Sequence, residues 1–141
     1  MTKNLFYPMI FQILLTVILV FRLGFTRLKA FKSGHMKGKE LSLGQDVWNI
    51  EATKAHRSFQ NQFEIPVLFY TAILAASFIQ MDSKLFLSLA WIFVITRFFH
   101  AYEHTGRNYV PARFRYFTVG FFSVTVMWII FTVHMVFSEL K

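Results

Sequence analysis

Arg57, Asn61 and Glu64 stand in the stretch HRSFQNQFEIP, residues 56–66, where a polar connector gives way to a long apolar run. An arginine, an amide and a carboxylate at i, i+4 and i+7 share one face of a helix, because 3.6 residues per turn returns the direction after four and seven steps. A guanidinium is a planar fork for carboxylates, and a carboxylate can receive an ammonium group or hold an arginine in place. At the mouth of a membrane helix such a stripe is costly unless partners, water or a ligand meet it. A second set, Arg97, His100 and His104, recurs at i, i+3 and i+7, and Arg113 follows in the next connector. Three arginines near one carboxylate, an asparagine and two histidines suit a small polyanion. A thiol held beside Arg113 would ionise more readily, since a nearby positive charge favours the thiolate. The same residues also allow a structural role in which Arg57–Glu64 and similar pairs only staple a helical bundle.

The elements that must position these groups follow from hydropathy. The chain has 141 residues, enough for one domain over 1–141, with 55% hydrophobic and only 16% charged residues. Leu5 to Phe21 carries no charge and is close to the roughly 20 residues that cross a bilayer. Lys3 ahead of it imitates a signal peptide, but the run is too long and no small-residue cleavage site follows, so a retained span is expected. Four spans are expected, at about 5–23, 46–79, 84–105 and 112–137. The fold class is therefore all-α, an integral membrane four-helix bundle.

Several local expectations accompany this frame. Pro8 fits the first turn of span one, and Gln12, the strongly polar group within it, is expected to make an interhelical hydrogen bond. The connector piece GHMKGKE has the wrong glycine spacing for a phosphate loop and lacks Ser or Thr after the lysine. Span two is expected to start near Asp46, with Ser42 or Asp46 as cap, and to kink at Pro66, whose ring presses on the carbonyl of Gln62. Ser83 is a candidate cap for span three. Pro111 fits the first turn of span four, Gly120 gives it a place of close approach, and His134 is expected only to pack or hydrogen-bond.

The formal net charge of +8 invites a nucleic-acid reading, but the basic residues cluster between apolar runs, where membrane proteins keep them. Residues 22–57 hold eight Lys or Arg and 97–115 hold four, against three (Lys3, Lys84, Lys141) on the opposite side. The positive-inside rule then puts both connectors in the cytoplasm and both termini across the membrane, so both polar sets share one end. Nucleic acid is excluded as a partner, and membrane lipids are implied. The chain has no cysteine, which excludes a disulfide scaffold and a cysteine nucleophile.

With these residues in hand, the chain resembles the MAPEG superfamily, the membrane-associated proteins of eicosanoid and glutathione metabolism. Arg-x-x-x-Asn-x-x-Glu followed closely by Pro is matched by Arg57, Asn61, Glu64 and Pro66, and Arg-x-x-His by Arg97 and His100. Pro-x-Arg, as in the prostaglandin E synthase branch, is matched by Pro111 and Arg113. The resemblance covers nearly the whole chain. It implies a homotrimer that binds glutathione at the cytoplasmic end between subunits and either conjugates it to lipophilic electrophiles or reduces lipid hydroperoxides with it. By matched position, Arg57, Asn61, Glu64, His100 and Arg113 would contact glutathione, with Arg113 nearest the thiolate as the catalytic group. Arg97 and His104 belong to the same wall, and Arg27 or Arg22 would join from the end of span one. Gln60, His104 and Phe117 depart from the family pattern, which has an arginine and two tyrosines there.

Two alternatives remain open at this stage. A non-catalytic membrane scaffold or lipid-binding protein of the same fold would keep the bundle without the reaction. HAYEH, His100 to His104, also matches the inverted zinc-protease pattern, with Glu103 as base, but lacks a third ligand.

Overall fold

A computed structural model describes residues 2–34 and 48–139. The chain enters through a 3-10 turn, Thr2–Leu5, into α1, Phe6–Lys32. After the first connector come α2 (Ile50–Gln60), a 3-10 turn over Asn61–Phe63, and α3 (Ile65–Phe78). α4 runs over Lys84–Thr105 and α5 over Val110–Glu139. No strand occurs among the described residues. The connector lysines Lys37 and Lys39, the bulk of GHMKGKE, and the caps expected at Ser42 and Asp46 lie outside the described residues.

α1, α4 and α5 are each long and apolar enough to cross a membrane. The fourth expected span is built differently. α3 has 14 residues, or roughly 21 Å at about 1.5 Å per residue, short of a ~30 Å hydrocarbon core. The 3-10 turn and the polar α2 precede it, so α3 stands as a shorter fourth helix beside those three. The expected continuous helix over 46–79, kinked at Pro66, is therefore corrected to two helices. The chain leaves the helical region at Glu64 (φ −100°, ψ −106°), and Pro66 sits in the first turn of α3. A proline is tolerated there because its missing N–H would have had no intrahelical partner. The ring's clash with a preceding turn is avoided by ending that turn early.

Lipid-facing side chains are conspicuous: Phe21 is 73% and Phe78 90% exposed in the isolated chain. The interior is built from α3, α4 and α5, where Phe69 and Phe93, both fully buried, stack at 4.4 Å between ring centroids. Caps close the helices where the sequence suggested for span three and three residues beyond Asp46 for α2. The Ser83 hydroxyl accepts from Phe86 N, and the Asn49 side chain accepts from Ala52 N. α3 ends with Gln80 in the left-handed region (φ 53°), where Met81 N donates to Ala76 O and Gln80 N to Ser77 O. That pair of bonds satisfies the last carbonyls of the helix.

Gln12 behaves as expected. It is fully buried, and its Nε2 donates to Gln62 Oε1 at 2.8 Å, joining α1 to the break between α2 and α3. Gln62 Nε2 passes the bond on to Ser58 O at 3.2 Å. Gln12→Leu strands the Gln62 oxygen in an apolar interior and is expected to cost about 1–2 kcal/mol. Adding Gln62→Leu should recover most of that loss, because both polar ends are then gone. A thermal-unfolding double-mutant cycle in detergent checks this, and strictly additive losses would contradict the coupling.

Candidate functional site

The break after Gln60 is what brings the two polar sets together. Ending α2 there frees carbonyls that a continuous helix would have used. Arg97, 2% exposed on α4, donates from Nη2 to one of them, Asn61 O, at 3.0 Å. A buried guanidinium thus holds the turn that carries Asn61. Above it on α4, His100 and His104 are also buried, with ring centroids 5.8 Å apart. The expected stripe of Arg97, His100 and His104 is a single buried face. It points inward because α5 and the α2–α3 break close over it.

Arg113 enters from the first turns of α5. Its Nη1 donates to Asn108 Oδ1 at 2.6 Å, and Asn108 occupies the left-handed region (φ 58°) in the turn between α4 and α5. Arg113 is thereby held between two concavities. One, of about 220 Å³, is lined by Trp48, Lys54, Arg57, His104, Asn108 and Arg113, with Ile50 and Thr53. The other, of about 260 Å³, is lined by Asn61, His100, Arg113, Phe117, Val110 and Phe114. Neither lining contains a carboxylate, while together they hold Lys54, Arg57 and Arg113.

Unmet hydrogen-bonding capacity marks the same place. The Nδ1 atoms of His100 and His104 and the Nε atoms of Arg97 and Arg113 are buried without a partner. Each such atom costs on the order of 1–3 kcal/mol when nothing meets it. Their clustering around one arginine is the signature of a place completed by water or ligand.

Not every expected residue converges. Arg57 lines the first concavity and Asn61 the second, but Glu64 is exposed and lines neither. The single helix face assumed for Arg57, Asn61 and Glu64 is interrupted before its third member, because the backbone at Glu64 is not helical, although the Glu64 carboxylate still lies close enough to attract the Arg97 guanidinium. Arg57 and Glu64 form no ion pair. Among the described residues the ion pair present is Lys29–Glu51 at 3.8 Å between exposed side chains, a geometry that contributes little. The staple reading of Arg57–Glu64 therefore has no support in the geometry.

Within the single chain the two arginines at the end of span one take different partners. Arg27 lies over the Trp48 ring, 4.8 Å from its centroid, and its Nη2 is 3.4 Å from His56 Nδ1. Since a guanidinium has no acceptor, the imidazole must accept there. Trp48 lines the first concavity, whereas Arg27 itself lines neither. Arg22 instead turns to α4, donating to Thr105 O at 2.9 Å.

Trp48, Lys54 and Asn108 were not anticipated as lining residues. Asn108 carried a signal, an asparagine in the turn just ahead of a proline-led helix, where αL is tolerated. Trp48 carried none, since an aromatic beside a cap is commonplace. The zinc reading fails on geometry: the Glu103 carboxylate accepts from Tyr109 N at 3.0 Å, tying it to the turn after α4. No group of three metal-ligating side chains occurs among the described residues.

Comparisons with known proteins bear on this arrangement. Comparison with curated proteins and with solved structures finds no match. A family model described as the MAPEG family matches residues 5–133. That interval takes in all of α1, α2, α3 and α4, most of α5, and every polar group just placed. The all-helical architecture of the described residues, with three candidate membrane spans and a fourth helix, agrees with it, and the chain is a multi-pass integral membrane protein that belongs to the MAPEG family.

Proposed function

We propose that the two concavities flanking Arg113 bind glutathione, and that the bound thiol serves as a nucleophile toward lipophilic molecules arriving from the bilayer. The observation that carries this reading is the cluster of unpartnered buried nitrogens on Arg97, His100, His104 and Arg113 within a carboxylate-free lining. Glutathione brings two carboxylates for guanidinium forks and a thiol whose ionised form a cationic wall favours. In that reading Arg57 and Lys54 receive a carboxylate, the Asn61 side chain a backbone-like amide, and Arg113 the thiolate. Arg97 acts one layer below as a positioning residue, through Asn61 O. Attack by the thiolate on an electrophilic carbon forms a sulfur–carbon bond while the bond to a leaving group breaks and the group departs with its electron pair. At an epoxide or activated alkene, the opened bond's electron pair takes up a proton instead. With a hydroperoxide, two glutathione molecules are oxidised to the disulfide while the peroxide is reduced to alcohol and water.

Membership in a family that includes glutathione-related enzymes supports the choice of thiol. A homotrimer fits the same reading, because Glu64 and the apolar faces of α1 and α3 remain exposed in the single chain. A neighbouring copy would cover them and bring Glu64 to a site shared between subunits. The positive-inside rule, applied to the basic connectors, supports a cytoplasmic position for that site.

One observation favours a second reading, binding without turnover. Phe117, not a hydroxyl-bearing residue, packs beside His100 at 6.3 Å between ring centroids, so this position of the second concavity offers no hydroxyl to the sulfur. Titration of glutathione against the purified protein, followed by calorimetry and by thiolate ultraviolet absorbance, tests both. Binding with a thiolate signal supports the nucleophile reading. Binding without it supports glutathione binding without turnover, and absence of binding at millimolar glutathione contradicts both and favours a lipid-binding or scaffold protein of the same fold.

A further inference from the structure

The connector-side end of the molecule holds a second polar cleft, on the other side of α2 from the concavities at Arg113. It lies between α1, the start of α2 and the end of α4, encloses about 310 Å³, and is lined by Arg22, Phe25, Lys29, Glu51, Lys54 and Thr105, among others. Its chemistry differs from that of the first site in depth and in neighbours. Arg22 is the first charge after the apolar run that ends at Phe21, which puts its guanidinium level with lipid headgroups.

Two of the three cations are held in place by helix-terminal carbonyls. Arg22 Nη2 donates to Thr105 O at 2.9 Å, and Lys54 Nζ to Gly106 O at 3.1 Å. Both carbonyls belong to the end of α4, where orphan acceptors gather. Each bond uses one donor, leaving the rest of the guanidinium fork and of the ammonium group for something else. Lys29 meets only the exposed Glu51 at 3.8 Å. Three cations against one carboxylate leave the cleft at +2. Immediately toward the apolar side, Phe21 and Phe25 are 73% and 69% exposed, which provides a greasy track continuous with the charged cleft.

We propose that this cleft binds the phosphate head of an anionic phospholipid, with its acyl chains running along the Phe21–Phe25 face of α1. Pre-positioned cations at headgroup depth beside exposed phenylalanines fit a ligand that is anionic at one end and hydrocarbon at the other. Basic pockets between membrane helices at the cytoplasmic end bind such heads for that reason. Lys54 lines both this cleft and the first concavity, so the test rests on Arg22 and Lys29, which line neither concavity at Arg113.

Native mass spectrometry from a neutral detergent tests it, with phosphatidylglycerol and phosphatidylcholine of identical acyl chains as probes. The expected result is a phosphatidylglycerol adduct of one lipid per chain, retained over phosphatidylcholine by about fivefold or more. Arg22→Gln/Lys29→Gln should abolish that preference, while Arg115→Gln, an exposed arginine on α5, should leave it intact. Because Arg22→Gln also removes a bond to α4, Lys29→Gln alone serves as the variant that disturbs no hydrogen bond. It should lower retention by roughly a factor of two to five. Equal retention of the two lipids, or equal loss in Arg115→Gln, would overturn the proposal. So would displacement by inorganic phosphate at the same concentration, which would show a site for free anion rather than for lipid.

Discussion

Arg113→Ala is expected to lower kcat/KM for glutathione-dependent turnover about 100-fold or more, equivalent to roughly 3 kcal/mol of transition-state stabilisation. The guanidinium lies where the two carboxylate-free concavities meet, so its removal takes away the positive charge nearest the proposed thiolate. The ionisation of the bound thiol gives a readout that a merely structural loss would not move. A cation beside a thiol holds its pKa below the ordinary ~8.5, and without the cation the titration should move upward toward that value. Activity then persists only at higher pH, because the thiolate fraction at neutral pH falls.

A structural contribution must be separated from that effect. Arg113 Nη1 is bound to Asn108 Oδ1 at 2.6 Å, and Asn108 holds a left-handed conformation in the α4–α5 turn. Asn108→Ala keeps the guanidinium while removing this tether. It should change glutathione affinity and leave the pH of thiol ionisation nearly in place. If Arg113→Ala and Asn108→Ala shift the thiol titration equally, Arg113 acts by holding the turn and not by its charge. Arg113→Lys retains charge without the planar fork and should fall between wild type and alanine.

The second large effect concerns the contact that buries the α4 stripe. At Gly120 an added Cβ would stand 2.9 Å from Thr96 Oγ1, 3.7 Å from Phe93 Cδ2 and 3.9 Å from Arg97 Cδ. The Thr96 hydroxyl is itself tied to Phe93 O at 2.7 Å, so it cannot swing aside freely. Gly120→Val therefore forces α5 away from α4 and is expected to cost about 2–3 kcal/mol by overpacking. Loss of helical signal on heating in detergent measures it. The displaced atoms include Arg97, whose bond to Asn61 O holds the break, so glutathione affinity should fall with stability. Thr96→Ala removes the nearest obstacle and should rescue part of the Gly120→Ala loss, giving a double variant better than the sum of the single ones. Simple additivity would place the strain elsewhere.

Much of this was legible in the chain before any coordinates. The membrane class followed from apolar runs of about bilayer length, because hydrocarbon tolerates no unpaired backbone and forces helices. The Arg97–His100–His104 face followed from periodicity, since α4 is one regular helix and the offsets hold along it. Gln12 was readable as an interhelical donor because a lone amide in a span has few other fates. Gly120 was readable as a close approach because a glycine within an apolar helix frees room for its neighbour.

Other features rested on contacts that no local pattern records. The same periodicity that served α4 misled at Glu64, because three residues of 3-10 turn intervene between α2 and α3 and shift the direction. Helix continuity there is decided by Arg97, a buried side chain 36 positions away, which meets the carbonyl the break exposes. Arg22 and Arg27 looked equivalent in sequence. Only packing separated them, sending one to the end of α4 and the other over Trp48.

The sequence by itself therefore determined the class, the family, the end of the bundle at which the polar groups gather and the residue types available there. The tertiary structure alone decided that Arg113 stands between two carboxylate-free concavities, that Glu64 stays exposed and that Trp48 and Asn108 complete the wall. The physical reason is range. Hydropathy and helical period act over a few residues and are written in the chain, whereas burial of a charge and relief of an orphan carbonyl depend on whichever distant group arrives.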